Sequence, residues 1–400
     1  MQHLYWFNPD NEMSIANGGV NYTLPANIAA MVDELSFLPA YLADKGDYVL
    51  VPEKINEEFL EKVRDIFQVE VSSVRLKDVA SLCFDEIRPW GWSPRACYVL
   101  REAIKRANPV FQQGIMAEWN DERRELYSRE RALECLELLY ERLPLYNPAK
   151  AVTVCHTMDE VKKRAMERAV VVKAPWSSSG RGILMLSGGD VTRKEEEIIA
   201  GMLRRQGRVM VEDRLDRVLD FAMEFQIASN GGVSYLGLSV FDTGKSGDYK
   251  ANFVESQALL RERLNHYLSS PTLLEEIRDA LSEVLGVLFE GKYTGVLGVD
   301  MMVYKTELGE YHVQPCVEIN LRYNMGILSL GLQRHIAVES RGIFRIRFSS
   351  VKGELVASVR EFQKNMPLVR ENTCIRKGYI ALTPVTETTR FVAELIVSEH

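Results

Sequence analysis

Residues 293–326 read YTGVLGVDMMVYKTELGEYHVQPCVEINLRYNMG, and the pattern predicts two strands, Gly295 to Lys305 and Tyr311 to Arg322, joined by the polar turn Thr306 to Glu310. Along the first, Leu297, Val299, Met301 and Val303 share a face, which sends Asp300 to the opposite face, left open by Gly298. Along the second, Val317, Ile319 and Leu321 face one way and Glu318, Asn320 and Arg322 the other, because side chains alternate along a strand. If the strands pair with their apolar faces together, Asp300, Glu318 and Asn320 converge. Two carboxylates and an amide oxygen form an all-oxygen site for a hard cation, Mg²⁺ with phosphate oxygens completing its shell. Arg322, one alternation further, is an anion-binding fork beside that metal. Taken alone, the same residues read more readily as the wet face of a surface hairpin, and the rest of the chain reverses that reading.

Four hundred residues exceed one ordinary core, so two or three packed units are expected. With 46% hydrophobic and 26% charged residues the chain is globular. A net charge of −7 and the lack of a Lys/Arg run argue against nucleic acid as a partner. The beginning, MQHLYWFNPDNEMS, has no basic stretch, and its apolar run stops at Phe7, too short for a secretion signal. No segment approaches about 18 uninterrupted apolar residues, so no membrane span is expected. The six cysteines lack CxxC spacing and sit in apolar company, as Cys135 does in ALECLELL, the look of reduced thiols in a cytoplasmic protein. The six histidines are equally scattered, which argues against structural zinc.

From the start, His3 to Asn8 reads as a strand ending in the turn-forming NPDNE, then Pro25 to Leu42 as a helix, Tyr48 to Val51 as a strand, Asn56 to Phe67 as a helix and Val69 to Val74 as a strand. Such alternation predicts a parallel α/β unit with functional residues at the carboxyl ends of its strands. Asn8, Asp10 and Asn11 fall there, either on substrate or simply capping a turn. Pro94 at a helix start after Ser93, and the charged helical stretch Asn120 to Arg142 ended by Pro144, follow. A boundary is placed near Trp119.

Ala169 to Lys173, AVVVK, reads as a buried strand delivering one lysine. It runs into Trp176-Ser177-Ser178-Ser179-Gly180-Arg181-Gly182, and Ile183 to Leu186 resumes as strand. Small residues let backbone N–H groups close around phosphate oxygens, although such a stretch also suits a plain hairpin tip. It is not the loop GxxxxGK[ST] that opens a helix, and GxGxxG is absent after the first strand. After a helix, Arg193 to Gln206, the apolar Val209-Met210-Val211 breaks into Glu212-Asp213-Arg214-Leu215. That break suits a nucleotide hinge, with backbone groups for the adenine edge, Leu215 as an apolar wall and the acids Glu212 and Asp213 for ribose, or else a strand end with solvated acids. Strands Phe221 to Ile227 and Val233 to Asp242 come next, then a loop, Thr243 to Lys250, rich in Gly, Ser and Asp and expected to be mobile.

A strand-ending lysine, a serine- and glycine-rich loop, a strand breaking at Glu212 and a late hairpin with Asp300 and Glu-x-Asn-x-Arg, in this order over Arg129 to Gly326, resemble the ATP-grasp superfamily. The resemblance implies an ATP-grasp fold, two α+β subdomains clasping ATP, preceded by a parallel α/β domain. The expected division is 1–119 for that preceding domain, 120–206 for a helical lead-in and first subdomain, 207–345 for the second, and 346–400 completing or capping it. Carried over by position, Lys173 and Arg129 match groups on the nucleotide phosphates, with arginine at 129 where the family has lysine. Ser177, Ser178, Ser179, Gly180 and Gly182 match the loop over the phosphates, and Glu212, Asp213 and Leu215 match the hinge. Glu224 matches the ribose acid, with Asp216 as the alternative. Asp300, Glu318 and Asn320 match the ligands of Mg²⁺, or of Mn²⁺, while Arg322 matches the arginine near the transferred phosphate and the acyl group.

The implied activity is ATP-dependent ligation of a small-molecule carboxylate to an amine, with a small-molecule kinase or a nucleotide-binding regulatory module as alternatives. Lys173 and Arg322 are its expected catalytic residues. Asn8, Asn11, Arg261, Arg263 and Arg322 are candidates for the acceptor, although Arg261 and Arg263 also read as the solvated face of a charged helix. Homodimerisation is left open.

Overall fold

The computed structural model describes residues 1–143, 152–177, 182–244 and 247–399; Ser178, Ser179 and Gly180 of the expected phosphate loop lie outside the described residues. The described residues form three sheets. The strands β1 (His3–Trp6), β2 (Tyr48–Leu50), β3 (Ser72–Val74) and β4 (Glu86–Pro89) pair in parallel in the order β3-β2-β1-β4. Strand and helix alternate as the sequence predicts. The strand β4 is not legible there, because its four residues carry two charges and a proline. Proline is tolerated since β4 is an edge strand. Strand order reverses between β1 and β4, and a crevice at the carboxyl ends is the geometric result.

The second sheet is small and antiparallel, with β5 (Thr153–Cys155), β6 (Val170–Lys173), β7 (Ile183–Leu186) and β8 (Val209–Asp213) in the order β5-β8-β6-β7. The helices Met158–Glu167 and Arg193–Gln206 each open with a capping box, Thr157 with Glu160 and Thr192 with Glu195. They bury Val161, Ala165, Ile199 and Met202 against Val170, Val172, Val209 and Val211. The expected division at Gly207 therefore cuts this sheet. Gly207, at φ +78°, ends a helix and returns the chain as an interior strand. The division between the second sheet and the third falls at Arg214 and Leu215.

The third sheet comprises β9 (Asp216–Ile227), β10 (Val233–Thr243), β11 (Tyr249–Val254), β12 (Gly295–Lys305), β13 (Tyr311–Asn320), β14 (Arg341–Phe348), β15 (Val369–Glu371), β16 (Cys374–Ala381) and β17 (Phe391–Ser398). All its pairings are antiparallel, in the order β13-β12-β9-β10-β11-β14-β17-β16-β15. The C-terminal segment thus extends the sheet rather than capping it, and the expected boundary at 345 falls inside β14.

Helices packed on this sheet set what surrounds the hairpin face. Leu273–Phe289 buries Leu274, Ile277, Leu281, Val284 and Leu285 and packs against β10 and the helix Glu130–Arg142. The charged stretch expected as one helix is two, Asp121–Leu126 and Glu130–Arg142, and the break sets Arg129 at the start of the longer one. Met325–Gln333 packs on β10, β11 and the 3₁₀ turn Leu38–Tyr41, joining the large sheet to the N-terminal unit. At Gly326 in that helix, a β-carbon would stand 2.0 Å from Glu224 Oε1 and 2.5 Å from Ser239 Oγ. Gly326→Ala is therefore expected to cost about 1–3 kcal/mol by overpacking. An unchanged urea midpoint would contradict this packing.

Candidate active site

The register of β12 with β13 pairs Asp300 with Glu318 and Gly298 with Asn320, so all four share one face. On the other flank, β9 sets Glu224 opposite Gly298 and Ala222 opposite Asp300. The face thus carries carboxylates on three adjacent strands. Gly298 is small for a reason: a β-carbon there would lie 2.3 Å from Asn324 Nδ2 and 2.5 Å from Glu224 Oε2. Asn320 Nδ2 donates to Asp300 Oδ2 at 2.9 Å, and its Oδ1 accepts from Arg322 at 2.8 Å. Burial, followed by the neighbouring carboxylates of Glu318 and Glu224, holds the Asp300 carboxyl well above the ordinary carboxylate range. Among the described residues no three His, Cys, Asp or Glu side chains are grouped to hold a metal unaided. The donor set is instead two carboxylates and an amide on one face. Oxygen donors under mutual repulsion fit a hard cation such as Mg²⁺.

Lys173 ends β6 and is buried, with Nζ paired to Glu212 on the adjacent strand β8. Below them is a small cavity whose lining includes Arg129, Leu136, Met210, Glu212 and Cys316. Arg129 joins the parts. One terminal nitrogen donates to Ala174 O at 2.9 Å and also to Ser177 Oγ, and the other donates to Glu318 Oε1 at 2.9 Å. The base of the loop is closed by Ala174 N–H donating to Gly182 O at 2.8 Å. Gly182 takes φ +66°, and a β-carbon on it would meet Ser177 at 2.9 Å. Trp176, which sequence reasoning leaves without a role, anchors that base. Its indole N–H donates to Arg124 O at 2.9 Å, Gln206 pairs with its backbone, and the Arg124 guanidinium lies 4.1 Å from its ring centroid.

The acids divide by face. Asp213, adjacent to Glu212, points the other way, to Arg164 at 3.3 Å and Arg168 at 3.0 Å. Its side chain is withdrawn from the hinge group in which the sequence sets it. Leu215 lies in the short link to β9 and does not line the cavity. Glu224 is buried, accepting from Ser239 Oγ at 3.0 Å and Asn324 Nδ2 at 2.8 Å. Those bonds consume it structurally, since Asn324 also caps the helix Met325–Gln333. Asp216 is exposed at the start of β9. Asp220, two alternations before Glu224 on the same face and still partly open, is the better-exposed acid there, held by Arg217 and Thr243. Alternation along β9 is the signal that could have found it.

Arg322 donates from Nε to Glu12 Oε1 at 2.8 Å, an ion pair between the hairpin and the N-terminal unit. Glu12 is absent from the sequence reading although it sits in NPDNE. Asn11, beside it, is fully buried with neither side-chain polar atom hydrogen-bonded, whereas Asn8 is bonded to Gly91 in both directions. Arg261 pairs with Glu275, and Arg263 grips Glu255 through two bonds of 2.7 and 2.5 Å. Both forks are thereby engaged within their own unit.

No protein-family description matches the chain, and no curated protein matches it in sequence. Solved structures do match along its whole length. A biotin carboxylase from Campylobacter jejuni in a beta-gamma-ATP complex aligns with 100% of this chain and 87% of its own, at 12% identity and a TM-score of 0.52. An N5-carboxyaminoimidazole ribonucleotide synthetase in its ADP complex covers 100% and 92%, at 11% identity and 0.51. The biotin carboxylase domain dimer of the 2-oxoglutarate carboxylase of Hydrogenobacter thermophilus, with ADP, its magnesium salt and bicarbonate, covers 100% and 86%, at 11% identity and 0.50. The chain has the ATP-grasp fold.

Burial, opposed by the bonds from Asn324 and Ser239 and by Arg322, pushes the Glu224 carboxyl from 4.5 up to about 7. A raised carboxyl binds its proton more tightly folded than unfolded, so its contribution to stability is present below pH 4.5 and is lost as pH rises through 7. The shift corresponds to a loss on the order of 3 kcal/mol. In chelator-treated protein, the stability of the wild type relative to Glu224→Gln should fall by that order between pH 4.5 and 7 and level off above. Parallel pH profiles for the two proteins would disprove the assignment.

Proposed function

We propose that the protein is an ATP-dependent ligase that joins a carboxylate to an amine through an acyl phosphate and releases ADP and phosphate. The observation that carries this reading is the single guanidinium of Arg129, bonded at once to the loop base at Ala174 and Ser177 and to Glu318 on the hairpin. In this reading Arg129, Lys173 and the loop from Ser177 to Gly182 hold the phosphates, and the segment from Glu212 to Leu215 receives the base and ribose, with Asp220 facing the sugar. Asp300, Glu318 and Asn320 hold Mg²⁺, with Mn²⁺ as an alternative; the ion, when bound, neutralises charge on the phosphate oxygens.

Arg322, fixed by Glu12 and Asn320, orients the substrate carboxylate. A carboxylate oxygen attacks the γ-phosphorus as the bond to ADP breaks. The amine nitrogen then attacks the acyl carbon, phosphate leaves with its oxygen, and the amine loses a proton. Nothing in these steps calls for a covalent nucleophile from the protein, and fixed cations and hydrogen bonds supply positioning and charge stabilisation. Solved neighbours that carry ADP and a magnesium salt support a nucleotide site in this fold.

Release of ADP and phosphate from Mg-ATP, driven by pooled amino acids and small carboxylates, should fall by about a thousandfold or more in Glu318→Gln, the scale of losing a group from a phosphoryl-transfer site. Retained turnover would refute the reading, and a stable phosphorylated product without phosphate release would mark a kinase. Arg129→Met, which cuts the tie between loop and hairpin, should weaken nucleotide binding about tenfold or more, equivalent to about 1.4 kcal/mol. Isothermal titration with Mg-ADP measures it, and unchanged affinity would remove Arg129 from the site.

A further inference from the structure

Strand β1 runs into Asn8-Pro9-Asp10-Asn11-Glu12, beside the reversal of strand order at which open α/β sheets bind ligands. Asn11 is fully buried, and neither its Oδ1 nor its Nδ2 has a hydrogen-bond partner; Glu12 Oε2 is buried and equally unanswered. A third residue joins them, since the Tyr127 hydroxyl is also buried without a partner. Buried polar atoms are as a rule hydrogen-bonded, so these ask for an explanation. Contacts through the backbone bring them to one place. Asn11 lies over Gly91, where a β-carbon would stand 2.4 Å from its Cγ and Nδ2. The neighbouring Trp90 O accepts from the Tyr323 N–H at 2.8 Å, and Arg322, just before Tyr323, holds Glu12 Oε1 at 2.8 Å. Burial, opposed by Arg123 and helped by Cys97 and Glu12, keeps the Tyr127 phenol above its ordinary range, so Glu12 is within electrostatic reach of it. Of the nearby cations, Arg123 donates to Glu118 O and Arg95 pairs with Asp10 at 3.2 Å.

This set is rich in acceptors. Glu12 Oε2 and Asn11 Oδ1 only accept, and the Tyr127 hydroxyl can do so. A ligand that answers them brings N–H groups, and the Glu12 carboxylate repels an anion from the same place. Glu12 also shares Arg322 with Asn320, and a substrate carboxylate on that fork draws further on the one cation, which favours positive charge on what binds next to Glu12. We propose that Asn11, Glu12 and Tyr127 form a primary-ammonium subsite, in which the ligand donates to Glu12 Oε2, Asn11 Oδ1 and Tyr127 Oη. Three acceptors match the three N–H groups of a primary ammonium, which more substituted amines lack. Asn11 Nδ2 is left for an oxygen of the group held by Arg322. Assignment of this ammonium as the bound form of the amine substrate rests on the ligase reading and narrows it to primary amines; the existence of the subsite does not.

The test is saturation-transfer NMR on the full-length protein, without nucleotide, with n-butylamine, with n-butyltrimethylammonium, which keeps the charge but has no N–H, and with butyrate. n-Butylamine should bind saturably and about tenfold or more tightly than the trimethyl compound, and butyrate should not displace it. Glu12→Gln and Tyr127→Phe should each weaken n-butylamine about tenfold. The urea midpoint of Tyr127→Phe should be no lower than that of the wild type, because the hydroxyl it removes bonds to no other residue. A lowered midpoint with unchanged n-butylamine affinity would mark a structural role and overturn the proposal. Equal binding of the two cations, displacement by butyrate, or absence of saturable n-butylamine binding would overturn it as well. Release of ADP and phosphate from Mg-ATP tests the ligase reading separately. Binding of n-butylamine with no such release under any substrate pool would sink that reading and leave the subsite standing; release without n-butylamine binding would do the reverse.

Discussion

Glu224, Asp300 and Glu318 lie on three adjacent strands and on one face of the large sheet, and their mutual repulsion sets the demands on everything packed around them. Charges that close, in surroundings of reduced dielectric, cannot all be left ionised and unpaired. Each is answered by a different device. Glu224 is sealed beneath a helix start, takes hydrogen bonds from Ser239 and Asn324, and has its carboxyl pushed toward neutrality. Asp300 receives the Asn320 amide, and Glu318 receives Arg129. Two glycines, Gly298 and Gly326, exist because the Glu224 carboxylate occupies the space their side chains would need. A chain that keeps this concentration of acids has not minimised its folding energy there, which is the usual mark of a site kept for chemistry.

The N-terminal unit takes part in that balance rather than merely preceding it. Its first loop supplies Glu12 to Arg322, and the backbone N–H of Tyr323 donates to Trp90 O at 2.8 Å, just beyond the end of β4. The helix Met325–Gln333 approaches it so closely that a β-carbon at Gly331 would meet Leu42 Cδ2 at 2.8 Å and Tyr41 O at 2.9 Å. The reversal of strand order between β1 and β4 therefore opens toward the end of the hairpin, where Arg322 is held by Glu12 of the N-terminal unit.

What was legible in the sequence follows from which signals are local. The hairpin strand Gly295–Lys305 is found where its period-two pattern predicts it, and the convergence of Asp300, Glu318 and Asn320 needs only alternation and an antiparallel partner. Alternation should also have separated Glu212 from Asp213, since adjacent residues of a strand face opposite ways. Reading the stretch as a strand that breaks at Glu212 hid this, because β8 continues through Asp213. Glu224 and Asp220 could not be told apart from sequence. Both are acids on one strand, and what separates them is the helix Met325–Gln333, a hundred residues away, covering only Glu224. The place of β8 in the small sheet is likewise a long-range fact, since a glycine turn announces that a helix ends and not where the next strand pairs. Glu12 and Trp176 escaped because their partners, Arg322 and the pair Arg124 and Gln206, are distant in sequence.

Arginine at 129, where the resembling family has lysine, is accounted for by the span it must cover. Its two terminal nitrogens serve separate elements, Ala174 and Ser177 on one side and Glu318 on the other, from one rigid plane. A lysine ammonium is a compact charge on a flexible stem and would hold those elements in no fixed relation. The helix break at Tyr127 to Arg129 and the backbone bond from Arg129 N–H to Pro175 O at 3.0 Å then set where the plane stands. On the proposed function, phosphate oxygens are anions of the kind that Arg129 already grips in Glu318. The carboxylate keeps the fork oriented toward the place those oxygens take, so nucleotide binding costs less side-chain ordering than it would with a lysine.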